Sequence, residues 1–320
     1  MRKRLLSLFF LAAVFILLPS APPASESKKE VREGSTQLSI LSDKLSIAGV
    51  VMNYVQAGKG PPLLFLHGLG GSWKDWAANL PAFAATNQVI AIDFPGFGDS
   101  EKPEVEYSVE WLTDMVERFV QEQRLDGVTL VGHSMGGVVA LNLAARPNSR
   151  VKKLVVTDVV GIGDKAEFLS YALTKKITGP EARWEFFEET LRDELKSLIE
   201  SFIKNRKPKT AREFFESLPK NPITRTPFLT MTPNVQMTAS IIDFDIRPKL
   251  ASIYQPTLIL WGAKDPIAPP QDASLLQKGI RHSNLFFFPT GGHSPMVDLP
   301  RDFNREVLEF LQATGSDPSR

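Results

Sequence analysis

The chain of 320 residues contains no cysteine. That absence excludes thiol nucleophiles, disulfide cross-links, cysteine-ligated metals and a lipidated N-terminal cysteine. Histidine is scarce too: four in all, few enough to weigh one by one as proton carriers. No sign of charge dominates, since 37 Lys and Arg stand against 36 Asp and Glu, a net +1. Without a basic stripe or an acidic tail, the balance argues against a nucleic-acid partner. Beyond the N-terminus there is no hydrophobic run of spanning length. What the chain does have is length and apolar content. With 43 % hydrophobic residues it can bury one large core, and an α/β domain carrying an insertion fits this size.

The N-terminal segment stands apart. Met1-Arg2-Lys3-Arg4 is a basic start, and Leu5–Leu18 is an apolar run, short for a spanning helix and typical of a secretory leader. Residues 1–24 are therefore expected to be a signal peptide, with Ala24 as the small residue before cleavage, or an uncleaved N-terminal anchor. Cleavage would remove three basic residues and no acidic ones, taking the net charge from +1 to −2. The expected location is outside the cytoplasm, periplasmic or secreted, or attached to a membrane through residues 5–18. Residues 25–36 are polar and read as a linker.

From Leu38 the chain alternates strands and helices. Strands are expected around Leu38–Leu45, Gly49–Gln56, Leu63–Leu66, Val89–Ile92, Val128–Val131, Val151–Asp158, Thr257–Trp261 and Asn284–Phe288. Several are continuous apolar runs, the mark of strands covered on both faces. Helices are expected at Tyr107–Gln123, after Gly136, and from about Pro300 to Gln312. This alternation implies a parallel sheet. It stops near Val159 and resumes near Thr257. Between them, Leu191, Leu195, Leu198 and Phe202 form one stripe of an amphipathic helix in an aromatic-rich stretch. The expected organisation is a core of residues 37–158 and 243–314, a helical cap at 159–242, and a tail at 315–320. For any single residue of that stretch, ordinary helix packing is the simpler reading; taken together, an apolar helical insertion beside a site is a candidate lid.

Chemistry concentrates at Gly132-His133-Ser134-Met135-Gly136. A G-x-S-x-G pattern between a buried strand and a helix is a nucleophile elbow, in which glycines permit a sharp, strained turn. A serine hydroxyl needs a base, itself oriented by a carboxylate. His293, in the loop Pro289-Thr290-Gly291-Gly292-His293-Ser294-Pro295 after the last strand, is the expected base. His133 reads as packing beside the elbow, His67 as shaping the loop after its strand, and His282 as a solvated loop residue. For the carboxylate, Asp265 follows a buried strand and gives the order Ser134, Asp265, His293; Asp158, at the end of the preceding strand, is the competitor. The expected oxyanion donors are the N–H groups of Met135 and of Leu69, the latter in the glycine-rich loop His67–Ser72. Taken singly, Asp265 could equally be a turn-capping aspartate before proline, and the glycine loop a turn without function.

These motifs together resemble the α/β-hydrolase fold superfamily, in its group of serine esterases, lipases and C–C hydrolases. The matching segments are HGLGGSW (67–73), DFPGFGDS (93–100), GHSMGG (132–137), LILWGAKDPIAP (258–269) and GGHSP (291–295). The resemblance implies an eight-stranded, mostly parallel sheet with helices on both faces, a helical cap inserted after the sixth strand, and a triad of Ser134, Asp265 and His293. Serine at position 134 departs from epoxide hydrolases and haloalkane dehalogenases, which use aspartate there. Perhydrolase-type haloperoxidases share the triad.

The leading expectation is a cofactor-free, metal-free serine hydrolase, a carboxylesterase or lipase acting on a small-molecule ester with an apolar part. An alternative keeps the triad and cleaves a C–C bond in a vinylogous diketone, with Arg225 or Arg247 to hold a second carboxylate. A third reading is a non-catalytic ligand-binding protein on this fold.

Overall fold

Eight short strands pair into one sheet in the order β1-β2-β4-β3-β5-β6-β7-β8. In this computed structural model the described residues are 40–163 and 233–313. The expected leader, linker and tail, and residues 164–232 of the expected cap, lie outside them. The strands are β1 (Leu41–Ile47), β2 (Val50–Ala57), β3 (Pro62–Leu66), β4 (Gln88–Ile92), β5 (Val128–His133), β6 (Val151–Thr157), β7 (Thr257–Gly262) and β8 (Ser283–Phe288). β2 runs antiparallel to both β1 and β4, and the strands from β4 onward across the sheet are parallel. The eight-stranded, mostly parallel sheet expected from the chain is the one found.

The described helices are α1 (Leu80–Ala84), α2 (Val109–Glu122), α3 (Met135–Ala144), α4 (Pro233–Asp243), α5 (Gln271–Gly279), α6 (Pro295–Asp298) and α7 (Pro300–Gln312). They cover both faces of the sheet because the central strands are apolar on both. Leu64, Leu66, Ile90, Leu130, Leu154 and Ile259 join one core cluster, with the buried sides of α2 and α3. Their sequence neighbours Leu63, Phe65, Val89, Val131, Val155 and Leu258 join a second, with Leu80, Phe83, Phe303 and Val307. Successive side chains point to opposite faces, so one run of residues feeds two cores. Phe65 packs at 5.2 Å from Trp76 and 5.7 Å from Phe83, ring to ring. Each such fully buried side chain contributes on the order of 2 kcal/mol.

Ser108 ends the loop before α2 and accepts the Trp111 N–H at 3.1 Å, so the helix starts two residues later than its apolar pattern suggests. Helix α4, which the expected boundaries assign to the cap, is tied to the core. Gln236 Oε1 accepts the Tyr107 N–H at 3.0 Å, Ser240 Oγ accepts the Val109 N–H at 2.9 Å, and Met237 is buried. The six parallel strands present their C-terminal ends along one edge, where open α/β sheets bind ligands. His67, Asp93, Ser134, Asp158, Asp265 and His293 all follow strand ends on that edge.

Candidate active site

Ser134 sits between β5 and α3 with φ 52° and ψ −116°, a left-handed backbone that costs a non-glycine residue about 1–3 kcal/mol. The surroundings enforce it. The Ser134 N–H donates to the Thr157 carbonyl at 3.0 Å, and its own carbonyl accepts the Gly137 and Val138 N–H groups at 3.0 and 3.2 Å. The elbow also requires its glycines. A Cβ on Gly132 would lie 2.5 Å from the Gly136 carbonyl oxygen, and one on Gly136 would run into the Leu66 carbonyl oxygen. Strand β5, strand β3 and helix α3 thus approach closely enough to force the turn.

The structure brings Ser134, His293 and Asp265 together in one hydrogen-bonded line. His293 Nε2 lies 3.1 Å from Ser134 Oγ, and His293 Nδ1 lies 2.8 Å from Asp265 Oδ2. Asp265 is wholly buried, and its other oxygen accepts the Ile267 and Ala268 N–H groups at 2.7 and 3.0 Å. With Nδ1–H directed at the carboxylate, Nε2 presents its lone pair to the serine hydroxyl. A group so arranged can take the hydroxyl proton as the oxygen attacks an electrophile.

Met135 follows Ser134 directly, and Gly68, the neighbour of Leu69, lies against Ser134. Met135 opens α3, whose first N–H groups and positive dipole end lie beside Ser134. Among the described residues, neither the Leu69 nor the Met135 N–H is engaged in a hydrogen bond. The Leu69 loop is shaped by His67, as expected. Its Nδ1–H donates to the Gly68 carbonyl at 2.7 Å, and Nε2 accepts the Phe94 N–H at 3.0 Å. Burial pushes the His67 imidazolium pKa down, which suits this neutral tautomer. His282 is exposed, also as expected.

Two residues do more than their sequence context suggested. His133 packs beside the elbow, and its Nε2 also donates to the His293 carbonyl at 2.7 Å. Burial, with the adjacent His293, lowers its pKa to about 3, so the ring is neutral. Asp158 is not the partner of His293 Nδ1, but it lies against Asp265. Asp158, Asp265 and His293 offer ligand atoms within 4.8 Å of one another, the one cluster with metal-like spacing among the described residues. Its donors are already committed, since both Asp265 oxygens carry hydrogen bonds and His293 Nδ1 points at one of them. A further residue had no signal in the sequence. Asn234 at the start of α4 lies beside Gly70, its Oδ1 buried and, among the described residues, without a hydrogen-bond partner. Arg247 is exposed and forked onto Asp245 at 2.8 Å through both Nε and Nη2. Arg225 lies outside the described residues.

A family model described as alpha/beta hydrolase fold matches residues 61–300. The chain belongs to this family. It is 30 % identical over 276 residues to a 2-hydroxy-6-oxo-2,4-heptadienoate hydrolase of Pseudomonas putida, covering 83 % of this chain and 94 % of that one. It is 28 % identical over 258 residues to a pimeloyl-[acyl-carrier protein] methyl ester esterase of Aeromonas hydrophila, covering 79 % and 96 %. Among solved alpha/beta hydrolase structures, an esterase from Exiguobacterium antarcticum superposes with a TM-score of 0.62 at 20 % identity, over 85 % of this chain and all of that one. That likeness concerns the fold.

Proposed function

We propose that this alpha/beta hydrolase is a serine hydrolase of carboxylic esters that works through an acyl-enzyme. The observation that carries the reading is the continuous hydrogen-bonded line from Asp265 through His293 to a serine held on a strained elbow. His293 takes the Ser134 proton as Oγ attacks the ester carbonyl. The Leu69 and Met135 N–H groups receive the developing oxyanion, and Asp265 stabilises the imidazolium. His293 then returns the proton to the leaving alcohol. In the second half it activates water, which releases the acid and restores Ser134. Ester hydrolysis is also the activity named for the methyl ester esterase relative.

A second reading is C–C bond hydrolysis with the same serine, favoured by the 30 % identity to the heptadienoate hydrolase. It needs a cation to hold a second carboxylate. Of the two candidates, Arg247 is exposed and forked onto Asp245, and Arg225 lies outside the described residues.

The test is Ser134→Ala against soluble aryl esters of graded acyl length, an emulsified triglyceride and a vinylogous diketone. Loss of ester turnover with an unchanged fold is expected, and a rate jump on the emulsion would mark a lipase. Ester activity surviving in Ser134→Ala would defeat the assignment, and turnover of the diketone alone would favour the second reading.

A further inference from the structure

Asp158 and Asp265 are both without solvent exposure, and their carboxylate oxygens lie within 4.8 Å of each other. Two carboxylates so close and so deeply buried do not both ionise readily; one keeps a proton and becomes a donor. The surrounding groups decide which. Asp265 accepts three N–H donors, from Ile267, Ala268 and His293. Asp158 accepts one, the Gly262 N–H at 2.8 Å, and meets the Thr157 hydroxyl at 2.5 Å. A hydroxyl serves a neutral partner as well as a charged one, because it can rotate and also accept. Three fixed N–H dipoles hold the charge on Asp265, which leaves the proton with Asp158.

We propose that Asp158 is a positioning residue for the Asp265–His293 pair, a neutral carboxylic acid whose O–H donates to the Asp265 carboxylate and holds it against His293 Nδ1. The backbone supports this role. Asp158 adopts φ 50°, uncommon outside glycine, and its N–H donates to the Leu260 carbonyl at 3.2 Å. One residue therefore links the ends of β6 and β7 and braces the loop that carries Asp265. Burial, then the charge of Asp265, pushes the Asp158 carboxyl well above the usual range. The facing titratable groups are Asp265 from the loop after β7 and His293 from the loop after β8.

The proposal rests on the serine hydrolase reading for its kinetic consequence but not for its spectroscopic one. Infrared difference spectra of the full chain at neutral pH, wild type minus Asp158→Asn, are expected to show the carbonyl stretch of a protonated carboxylic acid. Absence of that band overturns the proposal, whatever the enzyme acts on. In kinetics, Asp158→Leu removes the donor and should lower kcat about tenfold with KM unchanged, while Asp158→Asn, whose amide still donates, restores it to within about threefold. The downfield proton resonance of His293 Nδ1–H should be lost in Asp158→Leu and kept in Asp158→Asn. Equal damage from the two variants, or an undisturbed resonance in Asp158→Leu, also overturns it. Should Asp158→Leu fail to fold, the infrared band decides alone. Should Ser134→Ala leave ester turnover intact, the hydrolase reading falls and the band and resonance still report on the acid pair.

Discussion

His133 Nε2 donates a 2.7 Å hydrogen bond to the main-chain carbonyl of His293. The residue before Ser134 therefore grips the loop that carries His293, although its side chain takes no part in the Ser134–His293 contact. The ring stands 4.9 Å from the His293 ring, centroid to centroid. Registration of His293 against Ser134 thus runs through two bonds, one from the His293 side chain and one to its backbone.

Removing that second bond should loosen the base. His133→Leu leaves a carbonyl without its donor, a loss of about 1–3 kcal/mol, and kcat on a soluble ester is expected to fall about tenfold. His133→Gln, which keeps an N–H donor, should recover part of it. Wild-type kcat in His133→Leu would show that the tether does not matter for turnover.

The same histidine gives a pH dependence of stability. Its folded pKa is lowered to about 3, whereas the unfolded chain protonates it near the ordinary histidine value of about 6.5. Below that value the unfolded state binds a proton that the native state refuses. Its contribution is therefore present above about pH 6.5 and lost as pH falls toward 3, at roughly 1.4 kcal/mol per unit. The stability advantage of wild type over His133→Gln should shrink by about 2 kcal/mol between pH 7 and pH 5 in urea titrations. His67, also shifted down by burial, is common to both proteins and cancels in the comparison. A constant difference across that window would contradict the assignment of a neutral, buried His133.

Gly136→Ala tests the close approach at the elbow. The added Cβ meets the Leu66 carbonyl oxygen, a backbone atom of a central strand that has little room to retreat. Overpacking of this kind costs about 1–3 kcal/mol or more, so a melting temperature lower by several degrees is expected, with loss of turnover. An unchanged melt would mean that α3 and β3 can separate freely.

The loop that supplies Leu69 depends on Asp93. This carboxylate accepts the Trp73 N–H at 2.7 Å, the Asp99 N–H at 2.9 Å and Asn53 Nδ2 at 2.9 Å. It joins the segment after β3 to the turn after β4. Asp93→Ala orphans two main-chain donors and should cost about 2–4 kcal/mol, read as a lower denaturant midpoint. A midpoint equal to wild type would remove Asp93 from the account of this loop.

Much of this architecture was legible in the residues themselves, for physical reasons that differ from place to place. Runs such as Leu63–Leu66 and Val89–Ile92 are apolar at every position, which only a strand buried on both faces requires, and they lie where the strands are found. The edge strand β1 lies at Leu41–Ile47 rather than Leu38–Leu45, because a mostly exposed strand has no core pattern to mark its ends. The residues now aligned at 134, 265 and 293 were visible because the turns that hold them need glycine and proline in set places. The pairing of Asp158 with Asp265 was not visible. It arises from the parallel register of β6 on β7, with Thr157 opposite Leu260, and no local pattern encodes a neighbour 107 positions away. The His133 tether spans 160 positions and was hidden for the same reason. Between residues 164 and 232 the composition is aromatic, without a motif that names a substrate.

The register of β6 on β7 has a further consequence. Leu154 to Thr157 pair in sequence with Thr257 to Leu260, although a long excursion of chain separates the two strands. The sheet joins the strands on either side of that excursion, so the ends of β6 and β7, and with them the starts of the segments carrying Asp158 and Asp265, are set by the ladder itself.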